Sequence, residues 1–238
     1  MFELNTKEKE KLEEFIKENK SKYSKNIQSF IENDFTSDKF YHNDFMNQIY
    51  AYLFSKKYSE SNNIYNYFIE LMDSKFSNLS ERKILEIASG YIPGLAIIIN
   101  ELYDMEHNIT CMDPNTLDFN TPGIKQKKQD FSTSTDISQY DLLISHCPCD
   151  TFDDIVDKVI TSPRDMCVQT CRCRSNKFYF KSEFDYYMNT QIEKLQSLED
   201  EGYTVEVDIT DMYNYTMTPV VTVLKKNYPP KVQYRKHK

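Results

Sequence analysis

The chain has 238 residues, of which 39% are hydrophobic and 28% charged, which is enough to bury one α/β domain with an appended element and too few for two full domains. A formal net charge of −8 opposes phosphate backbones, because non-specific nucleic-acid binding depends on Lys and Arg displacing counterions; the expected partner is a small molecule, not a nucleic acid. No run approaches the ~20 uninterrupted apolar residues of a bilayer span, so a membrane protein is excluded, and the charged opening Met1-Phe-Glu-Leu-Asn-Thr-Lys-Glu lacks the apolar segment of a secretory signal, which makes the cytoplasm the expected location.

Residues 1–80 read as a helical cap of four helices. Asn5 and Glu8 form a possible capping box ahead of Leu12, Phe15 and Ile16, and Ile27, Phe30 and Ile31 mark a short second helix. Phe45, Met46, Ile49, Tyr50, Leu53 and Phe54 recur at helical steps through 39–56, and Ile64, Tyr65, Phe68, Ile69 and Met72 repeat the pattern in a fourth helix.

From Lys83 the pattern changes to short apolar runs alternating with helices, as in βαβ units. Strands are expected at 83–88, 108–113, 124–129, 140–146, 165–172, 203–210 and 219–225, and helices at 93–106, 151–161 and 183–200, with Gly202 at a helix C′ position. Residues 114–123 are too few for a full crossover helix, and 211–218 suit an antiparallel hairpin. The expected fold class is α/β: a seven-stranded, mostly parallel sheet over 81–227 with one antiparallel edge strand. Residues 228–238, with Lys231, Arg235, Lys236 and Lys238, read as a basic, solvated tail.

Within that frame Glu86 ends the first strand, Gly90 follows four residues later and Pro93 opens a helix, so backbone N–H groups and the positive helix end should converge on one small space. The strand Asn108-Ile-Thr-Cys-Met-Asp113 ends in an acid 23 residues after Gly90, a spacing that suits hydrogen bonds from ribose hydroxyls. Asp130, followed by Phe131, ends the third strand, a pairing suited to an adenine amino group and ring face.

On these residues, and on the fourth strand from Tyr140 to His146, the chain resembles the class I S-adenosylmethionine-dependent methyltransferases, which have a Rossmann-like sheet. The resemblance spans about 83–227 and implies S-adenosylmethionine as cofactor, with Glu86, Ala88, Ser89 and Gly90 at its methionine part, Asp113 and Pro114 at the ribose, and Asp130 and Phe131 at the adenine. It also implies a transferase. The family's first motif has glycines at three alternate places where this chain has Ala88, Gly90 and Ile92. The stretch Ala88-Ser-Gly-Tyr-Ile-Pro93 is similar to a loop of nicotianamine synthase-like enzymes, which transfer the aminocarboxypropyl arm instead of the methyl group. A third reading, a non-catalytic nucleotide- or metal-binding protein of this fold, follows from the missing glycines and the paired cysteines.

Cys147-Pro-Cys149 and Cys171-Arg-Cys173 follow the fourth and fifth strands and could face one another across a zinc ion. Cysteines two apart on a straight strand stand ~7 Å apart at Cα, so inert thiols and no metal are the expectation. His146 lies where the fourth strand leaves the sheet, near the expected methyl group, and could both line the cofactor and act as a base. Tyr41 and His42 could reach the substrate side of that space if their helix folds over it.

Overall fold

The computed structural model describes residues 3–34, 44–170, 181–212 and 215–226. Its N-terminal part is helical, as expected. Helix α1 (Thr6–Asn19) starts at the capping box: the Asn5 side chain accepts the Glu8 N–H at 3.0 Å, and the Glu8 carboxylate accepts the Asn5 N–H at 2.8 Å, which satisfies two of the donors a helix start leaves open. Then come α2 (Lys25–Asp34), α3 (Asp44–Leu53), α4 (Ser55–Ser59) and α5 (Ile64–Lys75). The one helix expected over 39–56 is interrupted at Phe54, whose φ of −138° and ψ of 36° leave the helical region; residues 39–43 lie outside the described residues. Asn63 caps α5 by accepting the N–H groups of Tyr65 and Asn66 at 2.9 and 3.0 Å.

The sheet is built from β1 (Ile84–Ile87), β2 (Ile109–Met112), β3 (Ile124–Lys127), β4 (Leu142–His146), β5 (Asp165–Gln169), β6 (Tyr203–Met212) and β7 (Tyr215–Lys225). Between them lie α6 (Gly94–Tyr103), α7 (Phe152–Thr161) and α8 (Lys181–Gln196). The strand order is β3-β2-β1-β4-β5-β7-β6. Every neighbouring pair is parallel except those of β7, which runs antiparallel to both β5 and β6. The expected hairpin is present, and its reversed strand stands one place in from the edge. No helix forms between β2 and β3, in keeping with the short connection; instead the Gln126 amide donates to Thr116 Oγ1 and to the Leu117 carbonyl at 2.9 and 3.0 Å.

Strand alternation sorts the core into two layers. Ile84, Ile109, Cys111, Leu142 and Ile144 face α6 and the N-terminal helices, while Leu85, Ile87, Met112 and Leu143 face α7 and α8. Helices α3, α4 and α5 pack on α6, and Met46, Ile49, Phe68, Ile69 and Met72 are wholly buried in the same cluster as the sheet residues beneath them. The cap thus continues the core of one sheet face and has no separate core of its own. None of the described helices is long and apolar enough to cross a membrane.

At the edge where the parallel strands begin, Arg82 and Asp165 form a buried ion pair, Nη1 to Oδ2 at 2.6 Å. Arg82 Nε also donates to the Ser77 carbonyl at 3.1 Å, its guanidinium lies 5.4 Å from the Phe76 ring centre, and Asp165 accepts the Lys225 N–H at 3.1 Å. The approach to β1, the first residue of β5 and the last of β7 are tied together there. The opposite edge, where the parallel strands end, carries the turn after β1.

Candidate functional site

The backbone turns sharply after Ile87. Ala88 (φ 57°) and Gly90 (φ 77°) both occupy the left-handed region, where a side chain costs about 1–2 kcal/mol. The turn thus follows a path suited to glycine at both positions, although one of them is alanine. A Cβ on Gly90 would stand 2.3 Å from Gln48 Nε2, and one on Gly94 would stand 2.9 Å from the Gln48 Cα and 2.7 Å from the Tyr65 hydroxyl. Helices α3 and α5 therefore lie directly on the turn and on the start of α6.

The backbone N–H groups expected to converge on this space are largely bonded within the protein. Ala88 and Ser89 N–H groups reach the Met112 carbonyl at 2.9 and 3.5 Å, Gly90 N–H reaches Asp113 Oδ2 at 3.0 Å, and Ile92 N–H reaches Gln48 Oε1 at 3.2 Å. Beyond them, Gly94 N–H bonds the Ile92 carbonyl and Ala96 N–H bonds Glu86 Oε2. The reason is the cost of burying an unbonded N–H: with the cap packed on top, the protein supplies the acceptors itself. The Ser89 hydroxyl, in a residue only 4% exposed, has no hydrogen-bond partner among the described residues.

Glu86 is buried on the α6 face of β1, where it accepts the Ala96 N–H at 3.3 Å and the Cys111 thiol at 3.2 Å. Burial pushes its carboxyl up to about 8; the Cys111 and Ala96 bonds pull it down, and the Asp113 charge adds to the rise. It supports the helix start from behind. Its ordinary value is 4.5, so ionisation costs the folded state nothing below about pH 4.5, opposes folding increasingly up to about pH 8, and is constant above. Glu86→Gln should therefore be more stable than the parent at neutral pH, by on the order of 3 kcal/mol, with the gap closing towards pH 5. Urea unfolding at pH 5, 6, 7 and 8 checks this, and a pH-independent difference would refute it.

Asp113 follows the last residue of β2 and is buried. Besides the Gly90 N–H on Oδ2, its Oδ1 accepts the Asn115 N–H at 2.7 Å. Each carboxylate oxygen has a second lone pair. Pro114 is exposed beside it. Asp130 stands three residues past β3 and is exposed, whereas Phe131 is buried among Leu85, Ile87, Met112, Ile137 and Tyr140 on the α7 face. Gly90 of the turn and Asp113 at the end of β2 are thus in direct contact, and Asp130 lies past the end of the neighbouring strand β3.

His146 ends β4 and is half-buried. It shares its face with Leu142 and Ile144, and its ring meets the edges of Tyr65 (5.5 Å between centres) and Phe68 (6.1 Å) from α5. Just beyond, Cys147 (φ 63°) and Cys149 (φ 49°) flank Pro148 in a bend, so the straight-strand spacing does not apply to them. Among the described residues no three His, Cys, Asp or Glu side chains are grouped to hold a metal ion. Cys171, Cys173, Tyr41 and His42 lie outside the described residues.

Two site residues were not legible in the sequence. Gln48 and Tyr65 come from the cap, and their places over Gly90 and Gly94 depend on contacts between residues far apart in the chain. The helical pattern of the cap shows which faces are buried, but carries no signal for that pairing.

No protein-family model matches the chain, and no curated protein does. Solved structures do. A methyltransferase from Pyrococcus furiosus is 12% identical with a TM-score of 0.46, the match covering 74% of this chain and 92% of that one. A precorrin-6y C5,15-methyltransferase from Geobacter metallireducens is 14% identical (TM-score 0.41), covering 68% and 87%. A 23S rRNA methyltransferase is 10% identical (TM-score 0.46), covering 73% and 71%. The sheet itself is Rossmann-like, seven-stranded and mostly parallel with a single reversed strand. At these identities and scores the matches say nothing about chemistry, which has to come from the site's own residues.

Proposed function

We propose that the chain is a methyltransferase that binds S-adenosylmethionine at the β1 turn and acts on a small molecule. The observation that carries this reading is the Gly90 N–H to Asp113 bond of 3.0 Å: it couples a turn with two left-handed residues to an acid at the tip of the next strand, the two parts that must hold opposite ends of an aminoacyl nucleoside. The residues fit the cofactor. The Ser89 hydroxyl is buried and lacks a partner among the described residues, Asp113 has lone pairs to spare for two ribose hydroxyls, and the exposed Asp130 suits an adenine amino group.

When bound, the cofactor supplies an activated methyl group that a substrate N, O or S atom attacks in line. The chain's own part is alignment and exclusion of water, which such a transfer chiefly needs. Asp113 and the turn would hold the donor, α3 and α5 would cover it, and His146, walled by Tyr65 and Phe68, would take the nucleophile's proton. The cap's closeness to the turn and the net charge of −8 favour a small acceptor over RNA, although four structural neighbours are named for rRNA or its processing.

Aminocarboxypropyl transfer is the second reading, and what favours it is the run Tyr91-Ile-Pro93 leading straight into α6 at Gly94. Calorimetric titration with S-adenosylmethionine should give saturable binding, and turnover should release S-adenosylhomocysteine. Methylthioadenosine as by-product would transfer the assignment to the second reading, and no binding would overturn both.

A further inference from the structure

Resting on that cofactor reading, the geometry points to Gln48 as a latch: its carboxamide oxygen occupies the seat of the cofactor's carboxylate on the Ile92 N–H and must swing aside for the methionine end to bind. The Ile92 N–H belongs to the turn that opens α6, a ten-residue helix whose positive end favours an oxygen acceptor. In the structure that acceptor is a cap side chain, Gln48 Oε1, at 3.2 Å. The rest of the amide lies over the turn, where a Cβ on Gly90 would have to displace it.

The placement of Gln48 is fixed by its helix. Met46, Ile49 and Tyr50 are buried and hold α3 on α6, while Gln48 itself is only half-buried. The turn has a separate anchor. Tyr91 is held by near-perpendicular ring contacts to Tyr23 (5.6 Å) and Phe45 (6.2 Å), and its hydroxyl accepts the Ser24 N–H at 3.3 Å. Release of Ile92 thus needs one side chain to turn and leaves the cap in place. The exchange is also favourable in sign: an amide oxygen is a neutral acceptor, and a carboxylate bonds the same N–H about twice as strongly.

The test uses the full chain with Gln48→Met, which keeps the volume and removes the acceptor, and Gln48→Glu, which makes the acceptor an anion. Titration with S-adenosylhomocysteine should show Gln48→Met binding about 2- to 10-fold tighter than the parent, the equivalent of one neutral hydrogen bond. Gln48→Glu should bind at least about 10-fold more weakly, through the stronger N–H bond and repulsion of the ligand carboxylate. In ligand-free Gln48→Met, the Ile92 amide proton should exchange faster by NMR. Binding by Gln48→Met that equals or falls below a measurable parent affinity would overturn the latch alone. No binding by any of the three proteins would overturn the cofactor reading and the latch with it.

Discussion

Asp113→Ala is expected to weaken S-adenosylmethionine binding by at least about 100-fold, the combined worth of two hydrogen bonds to a charged group at about 1.5–3 kcal/mol each. The loss has two sources. The ribose contacts go, and so does the acceptor that ties Gly90 to β2 and Asn115 to its own turn. Asp113→Asn keeps an acceptor oxygen and should fall between the variant and the parent. Asp130→Ala is the contrast: the residue is exposed, so its removal should cost about 10-fold or less and leave thermal stability unchanged. Titration calorimetry on the three proteins checks the order. Undiminished binding by Asp113→Ala would remove the central support for a cofactor at this edge.

The second large effect is on stability. Arg82→Ala should destabilise the fold by about 3–5 kcal/mol, because it strands the Asp165 carboxylate in the interior; both side chains are under 10% exposed, so solvent screening does little to lessen the cost. The paired change Arg82→Met with Asp165→Leu should recover most of that loss, since it leaves no buried charge behind. Urea unfolding of the single and double variants tests this. A double variant as unstable as Arg82→Ala would show that the Ser77 and Lys225 backbone bonds, and not the charge pair, hold this edge together.

Much of the fold could be read from residue order because local rules and the final packing agree. The Asn5 and Glu8 capping box, the helix ends at Gly202 and the strand at Ile109–Met112 all obey short-range chemistry. Reading failed where a signal reports the buried face and not the backbone path. Tyr50, Leu53, Phe54 and Tyr58 keep helical spacing through 50–58, yet the helix breaks at Phe54. Alanine argues for helix, yet Ala88 sits at φ 57° because the chain must fold back towards Asp113. Glu86 is an instructive intermediate case. Its alternation with Ile84 places it on the α6 face, so its bond to Ala96 could have been inferred, whereas the Gln48 contact at the same turn joins residues 44 apart.

The insertion of β7 between β5 and β6 has a consequence for how the protein is made. Residues 203–212 leave the ribosome before 215–225, yet β6 has no other strand to pair with, and β5 presents one open edge until β7 arrives. At about 5–20 residues per second, that edge waits several seconds between the synthesis of Gln169 and that of Lys225. An open edge recruits strands from other chains. The nascent protein is thus most exposed to aggregation late in its synthesis, when most of its core is already in place.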